Sequence, residues 1–118
     1  MKRKKVMVID DDEAILEVCK ILLENEYDVE TSTKGAVLLN KKRDYPDLIL
    51  LDILLAGEDG IEIAKSLKRN EKTKKIPIVI FSAHSQVEED AKKAGVNLFL
   101  QKPFEIDDLL AIVKRNIQ

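Results

Sequence analysis

Two patterns alternate along the chain: short continuous apolar runs, and longer segments in which apolar residues recur every three or four positions. Val6-Met7-Val8-Ile9 is a run rich in β-branched residues that stops at Asp10, as a strand buried on both faces should. From Glu13 the period changes. Ile15, Val18, Cys19 and Leu22 recur at helical spacing while Glu17, Lys20 and Glu24 face away, which predicts an amphipathic helix to about Glu26. Tyr27 to Thr31 reads as a short strand. Lys34 to Arg43 reads as a helix with Ala36, Val37, Leu39 and Asn40 inward, ended by Pro46.

Asp47 to Leu51 is a third strand, running into Asp52, and a loop with Gly57 and Asp59-Gly60 leads to a helix over 60–69 with Ile63, Ala64 and Leu67 inward. Ile76 to Phe81 is the fourth strand, where Pro77 is tolerated because its missing N–H costs least near a strand end. Ser85-Gln86-Val87-Glu88 fits a capping box, and Gly95 supplies the stop of the helix between them. Asn97 to Gln101 is the fifth strand. Ile106, Leu109, Leu110, Val113 and Ile117 form a final helical stripe, with Asp107 and Asp108 at its start and Lys114 and Arg115 at its end, as the helix dipole favours. Five strands, each followed by a helix, predict an α/β fold: a doubly wound five-stranded parallel sheet with right-handed crossovers and helices on both faces.

Length bounds this to one domain, residues 1–118. With 45% hydrophobic and 36% charged residues, a core can form without staples. The apolar runs 48–51 and 53–56 are split by Asp52 and fall far short of the ~20 residues a membrane span needs. The basic start, Lys2 to Lys5, is followed by only four apolar residues before three aspartates, so no export signal is expected and a cytoplasmic setting is the expectation. A lone Cys19 on the inner helical stripe reads as core filler. Setting aside Lys2, Arg3, Lys4 and Lys5, a solvated terminus, the 20 basic residues become 16 against 22 acidic ones, which argues against direct nucleic-acid binding.

In open α/β sheets ligands collect beyond the carboxyl ends of the strands. There this chain places Asp10, Asp11 and Asp12 after the first strand, Asp52 after the third, Ser82 after the fourth and Lys102-Pro103 after the fifth. Carboxylates set close together drive one another toward protonation unless a cation compensates. Mg²⁺, which takes about six oxygen ligands and keeps several waters, is the natural solution. A positioned acceptor, a metal and positive charge on the transferred group's oxygens are what phosphoryl transfer needs, and Lys102 and Ser82 can supply the remaining contacts.

The segments Val8-Ile9-Asp10-Asp11-Asp12, Leu50-Leu51-Asp52-Ile53 through Asp59-Gly60, Phe81-Ser82-Ala83-His84 and Gln101-Lys102-Pro103-Phe104 occur in the order found in the response-regulator receiver domains of two-component and phosphorelay signalling. The chain resembles that family from Lys5 to about Arg115. The resemblance implies a flavodoxin-like, CheY-like (βα)5 fold with strand order 2-1-3-4-5. It implies that Asp52 is the phosphoacceptor and that Asp10 and Asp11, with Asp52 and the Leu54 carbonyl, hold Mg²⁺, for which Mn²⁺ can substitute. Ser82 and Lys102 would contact phosphoryl oxygens, Ser82 and Phe99 would act as the switch pair, and the Lys102-Pro103 bond would be cis. The partners implied are a histidine kinase or phosphotransfer protein, with acetyl phosphate as a small donor. A downstream protein would bind the face of the fourth helix, fifth strand and fifth helix, residues 84–93 and 105–114, and the domain would be a monomer or a phosphorylation-linked dimer. It would be a signalling module, not an enzyme. Because the receiver pattern uses nearly all 118 residues, the signal is expected to leave by protein contact, from a stand-alone regulator, a phosphorelay carrier or a piece of a longer chain; the Met1 start favours the first on the N-terminal side.

Bland readings and rivals bear on several positions. Asp12 and Glu13 suit the start of a helix better than a metal. Ser82 alone would be a strand-end hydroxyl, Phe99 alone would be packing, and His84, the only histidine, reads as an exposed loop residue at the site mouth. A phosphatase of the haloacid dehalogenase type also uses an aspartate nucleophile, and Asp10 and Asp12 have its spacing, but the Asp52, Ser82 and Lys102 set fits the receiver pattern better. A flavodoxin-like carrier would want a hydroxyl- and glycine-rich loop where three aspartates stand. A receiver that only makes contacts would not need the acceptor, acidic pair and lysine together. Ala56 replaces the proline the family usually carries, which would loosen the loop. Leu54 and His84 occupy the positions that tune dephosphorylation, and an apolar Leu54 is a poor positioner of attacking water. A long-lived phosphoryl group is therefore expected, and a half-life of seconds in Mg²⁺ would contradict this.

Overall fold

The structure, a computed structural model, describes residues 3–82 and 85–117. In chain order its elements are β1 (Lys5–Ile9), α1 (Glu13–Leu23), β2 (Asp28–Ser32), α2 (Ala36–Leu39), β3 (Leu48–Asp52), β4 (Leu54–Leu55), β5 (Glu58–Asp59), α3 (Gly60–Arg69), β6 (Ile78–Ser82), α4 (Ser85–Lys93), β7 (Leu98–Gln101) and α5 (Ile106–Asn116). Five strands pair in parallel in the order β2-β1-β3-β6-β7, which is the 2-1-3-4-5 order once the small β4-β5 hairpin is set apart.

The central strands are apolar throughout except at the ends marked by Lys5, Asp52 and Ser82, because both faces are covered. One side of the sheet sends Val6, Val8, Leu48, Leu50, Val79 and Phe81 against α1 and α5. The other sends Met7, Ile9, Ile49, Leu51, Ile78 and Ile80 against α2, α3 and α4. With side-chain period two, a one-residue slip would exchange every residue between these layers, so the double core pins the register of the strand ends.

Helix faces differ from those that apolar spacing alone selects. α1 buries Leu16, Cys19 and Leu23, while Val18 is 43% exposed and Ile15 and Leu22 pack at the margin. It ends at Leu23, three residues short of Glu26, because Tyr27 must turn the chain so that Asp28 pairs with Lys5. α2 is reduced to four residues with Leu38 buried; Val37 and Leu39 are exposed. The chain leaves the helix after Leu39 and passes through Asp44 in the left-handed region, φ 56, to bring Asp47 back onto the Lys5 carbonyl beside β1. In α5 the buried stripe is Leu109, Ile112 and Val113, and Ile106 and Leu110 lie outside it, because a helix against a sheet covers one narrow stripe and the docking angle chooses which.

The loop after β3 that carries Ala56 folds as a short hairpin. Leu54 pairs with Asp59 and Leu55 with Glu58, and Gly57 takes φ 74 at the turn. Glu58 then receives hydrogen bonds from the backbone N–H groups of Gly35 and Ala36, 2.7 and 2.9 Å, supplying from a distant loop the cap that α2 lacks locally. Asp59 caps α3 through the N–H groups of Ile61 and Glu62. α4 ends where expected: Gly95, φ 92, lets the N–H groups of Gly95 and Val96 reach the carbonyls of Lys92 and Ala91.

Gly60 is where the hairpin folds back against β3. A Cβ there would stand 2.5 Å from the Asp52 carbonyl oxygen and 2.6 Å from the Ile53 Cα, both backbone atoms that cannot swing away. Gly60→Ala is expected to cost about 2 kcal/mol, the range of overpacking a closed site. Gly57→Ala, strained only by its φ, should cost roughly 1 kcal/mol. Urea midpoints at constant m-value check the order.

Candidate functional site

Register puts the reactive groups together. Ile9 pairs with Leu51, Asp52 with Phe81 and Ser82 with Gln101, so the residues that leave β1, β3, β6 and β7 emerge at one edge of the sheet. Asp10 is fully buried, Asp52 is 8% exposed, and Asp11 points to solvent. One carboxylate oxygen from each of these three lies within 4.8 Å of the others. Lys102 reaches across from the end of β7, its Nζ donating to Asp10 at 2.7 Å and to Asp52 at 3.3 Å. The second oxygens accept backbone N–H groups, Asp12 to Asp10 at 2.9 Å and Leu54 to Asp52 at 3.3 Å. The Lys102-Pro103 peptide is cis, as expected.

These contacts shift Asp52 and Lys102 from their ordinary values. Burial, and after it the charge of Asp10, pushes the Asp52 carboxyl above the usual carboxylate range; Lys102 and the Leu54 N–H oppose the shift without cancelling it. For Lys102, burial disfavours the charged form, but the Asp10 hydrogen bond and the charges of Asp52 and Asp10 outweigh it, so the ammonium is held more firmly than usual. Cys19, beneath this edge, is pushed up to about 12 by burial and by the charge of Asp10, which leaves it an inert thiol.

Asp10, Asp11, Asp52 and Lys102 therefore meet as the sequence reading expects, and Leu54 lines the same cleft with its side chain 71% exposed. The remaining expectations divide. Asp12 accepts from the Ala14 N–H and caps α1, the helix-start role. Ser82 is buried at the right strand end, but its Oγ donates to Glu88 Oε2 at 3.1 Å and does not line the cleft. Phe99 is half-buried on the α2/α3/α4 side of the sheet and also stands outside the cleft lining. The capping box is a correction: the Glu88 carboxylate accepts from the Ser82 hydroxyl and not from Ser85. His84 lies outside the described residues.

Phe81 is a site residue that sequence reading passed over. Its ring lies 5.1 Å from Lys102 Nζ and stacks on Phe104 at 5.8 Å, giving the ammonium an apolar, π-rich floor. An aromatic directly before the Ser82 strand end was the available signal. As a donor set, three carboxylates from two strand ends, one of them open to solvent, are hard oxygen ligands with room for water, which fits Mg²⁺ and does not fit a soft-metal site.

A family model, the response regulator receiver domain, matches residues 6–114. The DNA-binding dual master transcriptional regulator RpaA of Synechocystis is 34% identical over 93% of this chain and 47% of its own length. This chain thus spans about half the length of the curated relatives it matches. The chemotaxis response regulator CheY4 of Vibrio cholerae superposes with a TM-score of 0.88 at 26% identity, covering 98% of this chain and all of that one. The receiver domain of the sensor histidine kinase PA1611 from Pseudomonas aeruginosa shares the fold, with a TM-score of 0.86 at 24% identity and 97% of each chain covered, and holds a magnesium ion in its active-site cleft. Among the described residues no helix is long and apolar enough to cross a membrane.

The raised Asp52 carboxyl has a stability consequence. The unfolded chain ionises this group more readily than the folded one, so the penalty is absent below the ordinary value of 3.8 and fully present above the raised folded value. Asp52→Asn should therefore stabilise the metal-free protein at pH 7, by on the order of 1 kcal/mol. The gain should vanish as pH falls below the ordinary carboxylate range. Denaturation of both proteins across pH checks the sign.

Proposed function

The chain belongs to the response regulator receiver domain family, and on that basis we propose that Asp52 is its phosphoacceptor, fed by the phosphohistidine of a histidine kinase or phosphotransfer protein. The observation that carries the reading is the Asp10, Asp11 and Asp52 cluster bridged by Lys102 at the C-terminal edge of the sheet. Asp10, Asp11, Asp52 and the Leu54 carbonyl would hold Mg²⁺; Mn²⁺ would satisfy the same oxygen set. The bound ion supplies positive charge to the phosphoryl oxygens.

The chain's own groups do the rest. A carboxylate oxygen of Asp52 attacks phosphorus in line. Its new P–O bond forms as the donor's P–N bond breaks, and the donor imidazole leaves with that electron pair. Lys102, already 3.3 Å from Asp52, follows the charge as it spreads to the phosphoryl oxygens. Ser82 then donates to one of those oxygens, and Phe99 responds from the neighbouring strand. Receiver domains are signalling modules, and the product is a charged side chain that is read by a partner.

Residues 1–118 form, in this reading, a single cytoplasmic receiver domain without nucleic-acid contacts of its own. Its output face is α4, β7 and α5, of which α4 is strongly charged. Monomer and phosphorylation-linked dimer both suit that face. The phosphatase alternative gains nothing from the geometry, since Asp12 is engaged in capping α1.

Incubation with acetyl phosphate and Mg²⁺ should add the mass of one phosphoryl group to the intact protein. Asp52→Asn and EDTA should each abolish the adduct, and Lys102→Ala should slow its appearance by about 100-fold or more, in the range for loss of one preorganised electrostatic contact. No adduct with any of several donors would overturn the reading.

A further inference from the structure

The hydroxyl of Ser82 is already in use. Its Oγ donates to Glu88 Oε2 at 3.1 Å, a part-buried bond whose donor, Ser82, is 1% exposed. Glu88 lies in the first turn of α4, is half-buried, and is not among the residues that line the carboxylate cleft. A serine hydroxyl carries a single proton to donate. It cannot serve the Glu88 carboxylate and a phosphoryl oxygen at the same time.

From this exclusion we infer that Glu88 is a positioning residue that holds Ser82 away from the acceptor site and thereby ties α4 to the unphosphorylated state. The inference rests on the reading of Asp52 as phosphoacceptor and adds the competitor that reading lacks. A charge-assisted bond from a hydroxyl to a carboxylate must be given up before Ser82 can bond the phosphoryl group, and the bond it gives up is the one that reaches α4. Phosphorylation is then coupled to α4 by the transfer of one proton donor between two acceptors. The released Glu88 carboxylate loses its only partner among the described residues, so α4 is freed on the same side as the proposed output face. The arrangement is two-state, as a switch requires: either acceptor can be satisfied, not both.

The test uses the full chain and beryllofluoride with Mg²⁺ as a non-covalent phosphoryl mimic, its affinity measured by calorimetry in a double-mutant cycle. Glu88→Ala should tighten beryllofluoride binding, on the order of tenfold, the worth of the hydrogen bond no longer sacrificed. Glu88→Gln, which keeps a neutral acceptor and the helix packing, should tighten it by only about threefold, since the neutral bond is roughly half as strong. In a Ser82→Ala background both gains should disappear. A role limited to packing α4, or to simple repulsion of the phosphoryl charge, would give the same effect with and without the hydroxyl, and that result overturns the inference. So does Glu88→Ala binding no tighter than wild type.

A readout in the metal-free protein is independent of the mimic. Hydrogen exchange of the α4 amides should rise by the same factor in Ser82→Ala and in Glu88→Ala, with no further rise in the double variant; additive effects would contradict the coupling. If the wild-type chain neither binds beryllofluoride nor accepts a phosphoryl group, the Asp52 reading itself fails. If it does both and the cycle shows no Ser82-dependent gain, only the role of Glu88 fails.

Discussion

Everything at the reactive edge follows from crowding three carboxylates against one ammonium where water is scarce. Two like charges about 4 Å apart repel by roughly 4 kcal/mol at an effective dielectric constant near 20. A domain this size is stable by only about 5–15 kcal/mol in total. Lys102, whose Nζ touches both Asp10 and Asp52, offsets the repulsion between them at the strand ends. Even then the cluster keeps two uncompensated negative charges, counting Asp11, and the Asp52 carboxyl stays raised. A divalent cation removes that excess, and a phosphoryl group arriving with one finds both a nucleophile and a cation in place.

Such a cluster needs a frame that will not relax. The sheet provides it by burying the central strands on both faces, so that α1 and α5 on one side and α2, α3 and α4 on the other hold the same strand ends in register. The elements that flank this edge are tied to it by particular polar contacts as well as by apolar packing. The β4-β5 hairpin is held to α2 by Glu58, and α4 reaches the site edge through the Ser82-Glu88 bond. The core thus fixes the strand ends in place, and a few polar contacts join the flanking elements to them.

The strands and the residues that follow them were legible because a doubly buried strand has a plain signature, a β-branched apolar run, and because polar residues that end such runs emerge together at one edge. Asp10, Asp52 and Lys102 could be placed on one site from that rule before any contact was known. Helix faces were less legible. The spacing in α1 and α5 admits neighbouring stripes of similar hydrophobicity, and only docking against the sheet chooses Leu16 over Val18 and Ile112 over Ile106. α2 was overread because its apolar residues suit a longer helix than the return path to β3 permits.

Local chemistry in the sequence therefore determined the elements, their order, the acidic and basic groups at the strand ends and the glycines where backbone must turn or pack closely. These depend on residues near one another in the chain. What only the tertiary structure decided is which polar group meets which: Glu88 was read as half of a local capping box and is instead the partner of Ser82, and Glu58 caps a helix that begins more than twenty residues before it. Apolar burial is non-directional and can be read as a pattern, whereas a hydrogen bond is set by angles and distances of a few tenths of an ångström, which exist only once the strands have brought distant residues together.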